Sequence, residues 1–342
     1  MSDATLSLLW YFVIGISVIF YVALDGFDLG VGIMHFFTKK DEDRRIFLNA
    51  IGPVWDGNEV WLVIVGGALF AGFPDVYATL FSGFYDFCMI LLACLIFRAV
   101  AIEFRSKQKS KRWRATWDTV FSVASLAIAF GLGLAIGNLM DGIPLNENKD
   151  FVGSFEMFFR PYPVLIGLFT VSLLMMHGSI YLAMKTEGAL HRRLRTWATR
   201  CIYIFIGFYV LTTISTWLMA PNMVERFKVD TWTLIVPLAA LLSILNVPRM
   251  FSRNNDGWAF LSSCFCIVLL FIVYGIGTFP NLVRSSIDPE NYSLTFYNSA
   301  ASTLTLEVLL VIVAIGVPLV LAYGTVIYRV FRGKVKLSST SY

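Results

Sequence analysis

A chain of 342 residues with a mean hydropathy of +0.71, 57% hydrophobic residues and only 15% charged ones is too apolar for a soluble domain, and the bilayer is its expected solvent. The formal net charge of +4 is small, and it gives no reason to invoke nucleic acid.

Runs of about 20 apolar residues, the length that crosses a bilayer, predict nine transmembrane helices over residues 7–34, 57–74, 77–102, 118–140, 162–184, 200–220, 232–248, 258–279 and 303–328. The first is expected to stay in the mature protein. Met1 to Ser7 holds no basic residue, and the apolar run from Leu8 meets Asp25 rather than a small-residue cleavage site. That helix carries Asp25 and Asp28 at i and i+3, on one face. The second is short and opens in the polar turn Trp55-Asp56-Gly57-Asn58, with Asp56 and Glu59 again three apart. Asp86 falls about ten residues into the third, whose far end is marked by Arg98 and Glu103. His177 lies inside the fifth, the seventh is only marginally long enough, and Glu307 stands early in the ninth.

The basic residues fix an orientation. With nine spans, 22 of the 27 Lys and Arg fall on one side, in 39–45, 98–114, 185–200, 249–253 and 329–336. By the positive-inside rule the N-terminus is then outside and the C-terminus cytoplasmic. The longest gaps, 141–161, 280–302 and 185–199, are too short to bury a core, so residues 1–342 read as a single all-α polytopic unit. Gly26 with Gly30, and Gly133 with Gly137, give the four-residue spacing that lets helix backbones approach closely.

A charged side chain at the centre of a membrane helix costs roughly 2.5–3.5 kcal/mol, so such groups are usually excluded. Asp25, Asp28, Asp56 and Glu59 within 35 residues therefore make the candidate site, where facing carboxylates take up and release a proton. The structural alternative is that they hydrogen-bond helix ends together. Arg98 is placed either to neutralise one of them or to snorkel to the headgroups. Five scattered cysteines without a CxxCH or CxxC motif, and three histidines of which only His177 is within a helix, make a poor haem-ligating set. A lone membrane histidine reads first as a hydrogen-bonding packing residue, and Glu307 equally as an interfacial one. A secondary transporter or proton-coupled carrier would also need intramembrane carboxylates, but would show broken helices in corresponding places of two halves. A scaffold subunit would use them only as hydrogen-bonding groups.

The ordered set Asp25-Gly26-Phe27-Asp28-Leu29-Gly30-Val31-Gly32, Arg44-Arg45, Trp55-Asp56-Gly57-Asn58-Glu59-Val60-Trp61 and Gly66-Gly67-Ala68-Leu69-Phe70-Ala71 resembles subunit II of the cytochrome bd quinol oxidases. The likeness continues through Phe81-Ser82-Gly83-Phe84-Tyr85, Phe97-Arg98, Glu103-Phe104-Arg105-Ser106-Lys107, Gly137-Asn138-Leu139, Phe279-Pro280 and Ser302 to Leu306. The resemblance implies two four-helix bundles plus a peripheral helix, in a bacterial cytoplasmic membrane. It implies a heterodimer with subunit I, to which small accessory subunits and lipid could add. The complex would oxidise quinol and reduce dioxygen to water, with two b-type haems and one haem d ligated by subunit I. Subunit II would support haem assembly and line a cytoplasmic proton route. Asp56 would be the main relay, with Asp25, Asp28 and Glu59 in its cluster and Trp55, Asn58 and Arg98 supporting it near the interface. Glu59 departs from the glutamine common in the family.

Overall fold

The computed structural model describes residues 2–337. The helices are α1 (Asp3–His35), α2 (Asp41–Ile51), α3 (Trp55–Gly72), α4 (Pro74–Gly83), α5 (Tyr85–Phe104), α6 (Lys111–Asp141), α7 (Pro161–Lys185), α8 (Gly188–Met219), α9 (Asn222–Val229), α10 (Ile235–Ser252), α11 (Asp256–Thr278) and α12 (Thr303–Val330). Their starts are written locally. Ser2, Ser110, Asn255 and Ser302 accept the amides of Thr5, Trp113, Trp258 and Thr305, and Pro74 and Pro161 open α4 and α7 where no amide partner is needed. Among the described residues eight helices are long and apolar enough to cross a membrane, and the pair α2 and α3, bent by 51°, brings the number to nine when it is counted as one broken span.

Helices α1, α3, α5 and α6 pack as one group and α7, α8, α10 and α11 as a second, joined where α7 meets α1 and α6, while α12 lies outside against α3 and α1. The joint is close because glycines leave room for it. A Cβ on Gly30 would come within 1.9 Å of the Leu174 carbonyl, and one on Gly137 within 2.6 Å of Pro163 Cα, so both approaches on α7 require the glycine.

The basic connections gather at one end of the molecule, here the basic face. Asp118, fully inside that face, accepts from Arg105 Nε at 2.5 Å and from Arg44 Nη1 at 2.7 Å, and His35 Nε2 lies 3.3 Å away. Arg105 also reaches Asp41 at 2.7 Å, so one network ties the ends of α1, α2, α5 and α6. Arg193 adds α8 to α2 through Asp43 at 2.6 Å. At the opposite face, strands β1 (Asn281–Val283) and β2 (Leu294–Thr295) pair antiparallel, and the loop after α6 bonds to them through Ile143 N and the Arg284 carbonyl at 3.0 Å.

Two expectations change. The span 77–102 is not one helix: the chain breaks at Phe84, between α4 and α5, where that buried ring packs 4.4 Å from Phe158 and Gly83 lies against Phe151. Asp86 accordingly sits in the first turn of α5 and is exposed, rather than ten residues into a helix. Helix α8 also begins at Gly188, well before residue 200, and its first three turns carry the basic residues Arg192, Arg193 and Arg195 on one side while Leu190, Leu194 and Ala198 pack into the core on the other.

The close joint is testable. Gly178→Ala places a Cβ within 2.5–2.7 Å of the α1 backbone at Gly30 and Val31, whereas Gly207 has nothing within 4 Å. Gly178→Ala is expected to cost about 1–3 kcal/mol or more, and Gly207→Ala to be neutral or slightly stabilising. Thermal denaturation of the detergent-solubilised protein distinguishes the two.

Candidate functional site

Four helices bring polar groups together in the half of the molecule nearer the basic face. Asp25 lies ten residues before the end of α1, about 15 Å along the helix from it. It is fully buried and receives both terminal nitrogens of Arg98 on α5, at 2.7 and 3.3 Å. Arg98 is itself fully buried, so it does not snorkel; its Nη1 also lies 3.8 Å from Glu59 on α3, a residue 22% exposed. The guanidinium therefore bridges α1, α5 and α3, with its strong bidentate bond made to Asp25.

Asp28 is equally buried but, among the described residues, has no cation of its own. Its Oδ2 accepts from Asn58 Nδ2 at 2.8 Å, while its Oδ1 has no hydrogen-bond partner among the described residues. The Asn58 amide is fixed on every side. Nδ2 also donates to the Leu24 carbonyl at 3.3 Å, which can only accept, and Oδ1 accepts from the Tyr328 hydroxyl on α12 at 2.8 Å. Two further polar atoms, Arg98 Nε and the Tyr21 hydroxyl one turn before Asp25, are buried without a partner among the described residues.

Residues 25, 28, 58, 59 and 98 thus converge, but Asp56 does not join them. It is exposed in the first turn of α3, where a carboxylate suits the positive end of the helix, and Trp55 beside it is half-buried against the core. The i, i+3 spacing put Asp56 and Glu59 on neighbouring positions, yet only Glu59 turns toward Arg98. Sequence reasoning missed Tyr328, which hydropathy reads as an interfacial aromatic. It also missed Asp118, whose only signal was an acid at the edge of an apolar run.

The histidines are committed elsewhere. His177 is fully buried, bonded through Nδ1 to Ser263 Oγ at 2.7 Å and through Nε2 to the Ala23 carbonyl at 3.0 Å, and stacked on Phe260 at 4.8 Å. His35 sits between Ser122 and Asp118, and His191 bonds the Ala183 carbonyl at 2.9 Å. Among the described residues no group of three or more His, Cys, Asp or Glu is placed to hold a metal ion.

The family profile described as cytochrome bd terminal oxidase subunit II matches residues 6–331. The chain belongs to this family. It is 32% identical to the cytochrome bd-I ubiquinol oxidase subunit 2 of Escherichia coli strain K12, over 96% of this chain and 95% of that one. It is 31% identical to the cytochrome bd ubiquinol oxidase subunit 2 of Bacillus subtilis strain 168, over 97% of both. A solved bd oxidase from Geobacillus thermodenitrificans has the same fold, with a TM-score of 0.75 at 18% identity, covering 96% of this chain and 98% of that one. As a subunit II, the chain is a multi-pass inner-membrane component of a quinol oxidase, an oxidoreductase complex that oxidises quinol, reduces dioxygen and contains haem.

The ion pair sets an expectation. Arg98→Met removes the bidentate partner of the buried Asp25 carboxylate, and loss of one member of a buried pair costs about 3–5 kcal/mol. Asp56→Asn, at an exposed position, is expected to stay within about 0.5 kcal/mol. Thermal stability of the two purified variant complexes reads this difference directly.

Proposed function

We propose that this chain is the haem-free half of a heterodimer whose two b-type haems and haem d are ligated by subunit I, and that its buried carboxylates pass protons from the cytoplasm toward that partner. The supporting observation is the asymmetry of the site. One guanidinium is bound bidentately by Asp25, which leaves Asp28 with an unpartnered oxygen and no cation of its own in a water-poor interior. A carboxyl group so placed is suited to hold a proton and pass it on.

In this reading the N-terminus is outside and the basic face is cytoplasmic. Asp28 takes the proton, Asp25 and Arg98 hold the surrounding charge fixed, and Glu59, part exposed on α3, is the exit. Asp56 and Trp55 stand at the same end of α3, on the flank where α3, α5 and α12 expose apolar side chains such as Val63, Ile96 and Ile312. That flank suits the surface of subunit I, with lipid and any small accessory subunit on the remaining faces. The same fixed polar cluster would support haem assembly by holding α1, α3 and α5 in register against the partner. The carrier reading has no support beyond the carboxylates themselves, and family membership decides against it.

Two measurements test the proposal. A reduced-minus-oxidised optical spectrum is expected to show haem bands when this chain is purified with its co-expressed partner and none when it is purified alone. In the complex, Asp28→Asn and Asp56→Asn are expected to retain the haem bands, with quinol-dependent oxygen consumption lowered roughly 100-fold for Asp28→Asn and to a smaller degree for Asp56→Asn. Unchanged turnover in both would overturn the proton reading, and loss of the haem bands would assign the carboxylates a structural role.

A further inference from the structure

On the face opposite the basic one, a pocket of about 240 Å³ opens between α9, the end of α11 and the strand β1. Its lining carries both signs of charge: Glu225 and Arg226 come from α9, and Arg284 from the chain just after β1. Residues 222, 225, 226 and 229 share one side of α9, while Met223 and Phe227 on its other side are buried. The helix lies close to α11 because Gly277 has no side chain; a Cβ there would come within 2.9 Å of the Met223 carbonyl.

These charges do not neutralise one another. Arg226 is fixed from one side: its Nε lies 2.8 Å from Asp230, its guanidinium covers the Phe279 ring at 5.3 Å from the centroid, and its two terminal nitrogens make no hydrogen bond among the described residues. The side chains of Arg284 and Glu225 make no hydrogen bond or ion pair among the described residues. Asp141 at the end of α6, which feels the charge of Arg284, is bonded instead by Arg160 at 2.8 Å. The pocket thus offers donors for an anion beside an acceptor for a cation. Its rim meets lipid: Val229, which lines it, is 77% exposed, and the exposed Trp217 and Trp232 precede and follow α9 in the chain. Tryptophans so placed mark the headgroup level of a bilayer. The space equals about eight waters at about 30 Å³ each, enough for a phosphate with a short arm and too small for acyl chains.

We propose that this pocket binds the headgroup of a zwitterionic phospholipid, a phosphodiester carrying a primary ammonium, from the leaflet on this face. The phosphodiester oxygens accept from the terminal nitrogens of Arg226 and from Arg284, the charge-assisted pairing that guanidinium and phosphate favour. The ammonium donates to the Glu225 carboxylate. The acyl chains leave past Val229 along the exposed side chains of Trp232 and Ile235. A lipid with a glycerol headgroup leaves Glu225 without a cation, and a choline headgroup brings a cation with no N–H to donate. Bound in this way, one lipid joins α9 to the chain after β1, at a site separate from the carboxylate cluster.

The test uses the complex with its co-expressed partner, reconstituted in nanodiscs holding phosphatidylethanolamine and phosphatidylglycerol in equal amounts, released into mild detergent and read by native mass spectrometry. Arg284→Gln is expected to lower the retention of one phosphatidylethanolamine about 5-fold, the upper range for an exposed ion pair. Glu225→Gln is expected to keep a phospholipid but to lose the preference for the ethanolamine over the glycerol headgroup. Lys149→Gln, at a basic residue on the same face that does not line the pocket, is expected to match the parent. The haem bands of each variant complex report that it has assembled. Equal retention in the parent and Arg284→Gln, or an equal loss in Lys149→Gln, overturns the site. Displacement of the lipid by inorganic phosphate overturns the lipid assignment, because the pocket then takes free phosphate. Where a variant fails to assemble, the parent alone decides: retained lipid that merely follows the nanodisc composition, with no preference for ethanolamine over glycerol or choline headgroups, overturns the proposal.

Discussion

The pairing of Arg98 with Asp25 is the constraint on which the rest of the membrane interior depends. A guanidinium buried to this degree has few tolerable arrangements, because desolvating it costs several kcal/mol unless an anion and further acceptors surround it. Asp25 supplies that anion in bidentate geometry, and the requirement then propagates. Helix α5 must face α1 at one depth, α3 must enter at the height where Glu59 nears the same guanidinium, and Asn58, one residue earlier, is thereby delivered to Asp28. A single buried cation thus sets the mutual register of three helices. It also leaves two neighbouring carboxyl groups unequal, one bound in a fork and the other held by an amide alone.

Much of this was legible in the sequence and some was not, for reasons that differ from residue to residue. Asp25, Asp28, Glu59 and Arg98 announce themselves because charge inside an apolar run is costly enough to demand a partner. The nine passes follow from hydropathy and from the bias of Lys and Arg, since both report the bilayer rather than any particular contact. The break at Phe84 was only faintly marked. Ser82-Gly83 stands just before it, but a hydropathy window passes over that pair, and the cause of the break, a phenylalanine cluster built with residues 151 and 158, lies far along the chain. Asp56 was misplaced for a related reason: spacing says which residues share a helix face, but not which way that face turns when the helix starts at a bend. Tyr328 could be found only in three dimensions, because its partner is 270 residues away.

The histidines divide labour as clearly as the carboxylates. His177 spends both ring nitrogens joining α7 to α11 and α1, in a stack of aromatic rings, and so closes the gap where two helix groups meet. His35 works at the other boundary, between the interior and the basic network around Asp118. Both thus hold helices together, His177 at the joint of the two helix groups and His35 at the rim of the interior.

The docking of α12 has a consequence for how the protein is made. Synthesis proceeds from the N-terminus, so the contacts of Tyr328 and the three bonds that fasten residues 331–335 to the end of α7 form only after α1, α3 and α7 have been made. Until then Asn58 lacks the hydroxyl that orients it, and α3 has an open flank toward the lipid. The finished geometry around Asp28 therefore exists only once α12 has docked against α3 and α1, and until then the Asn58 amide that holds this carboxyl group lacks one of its own anchors.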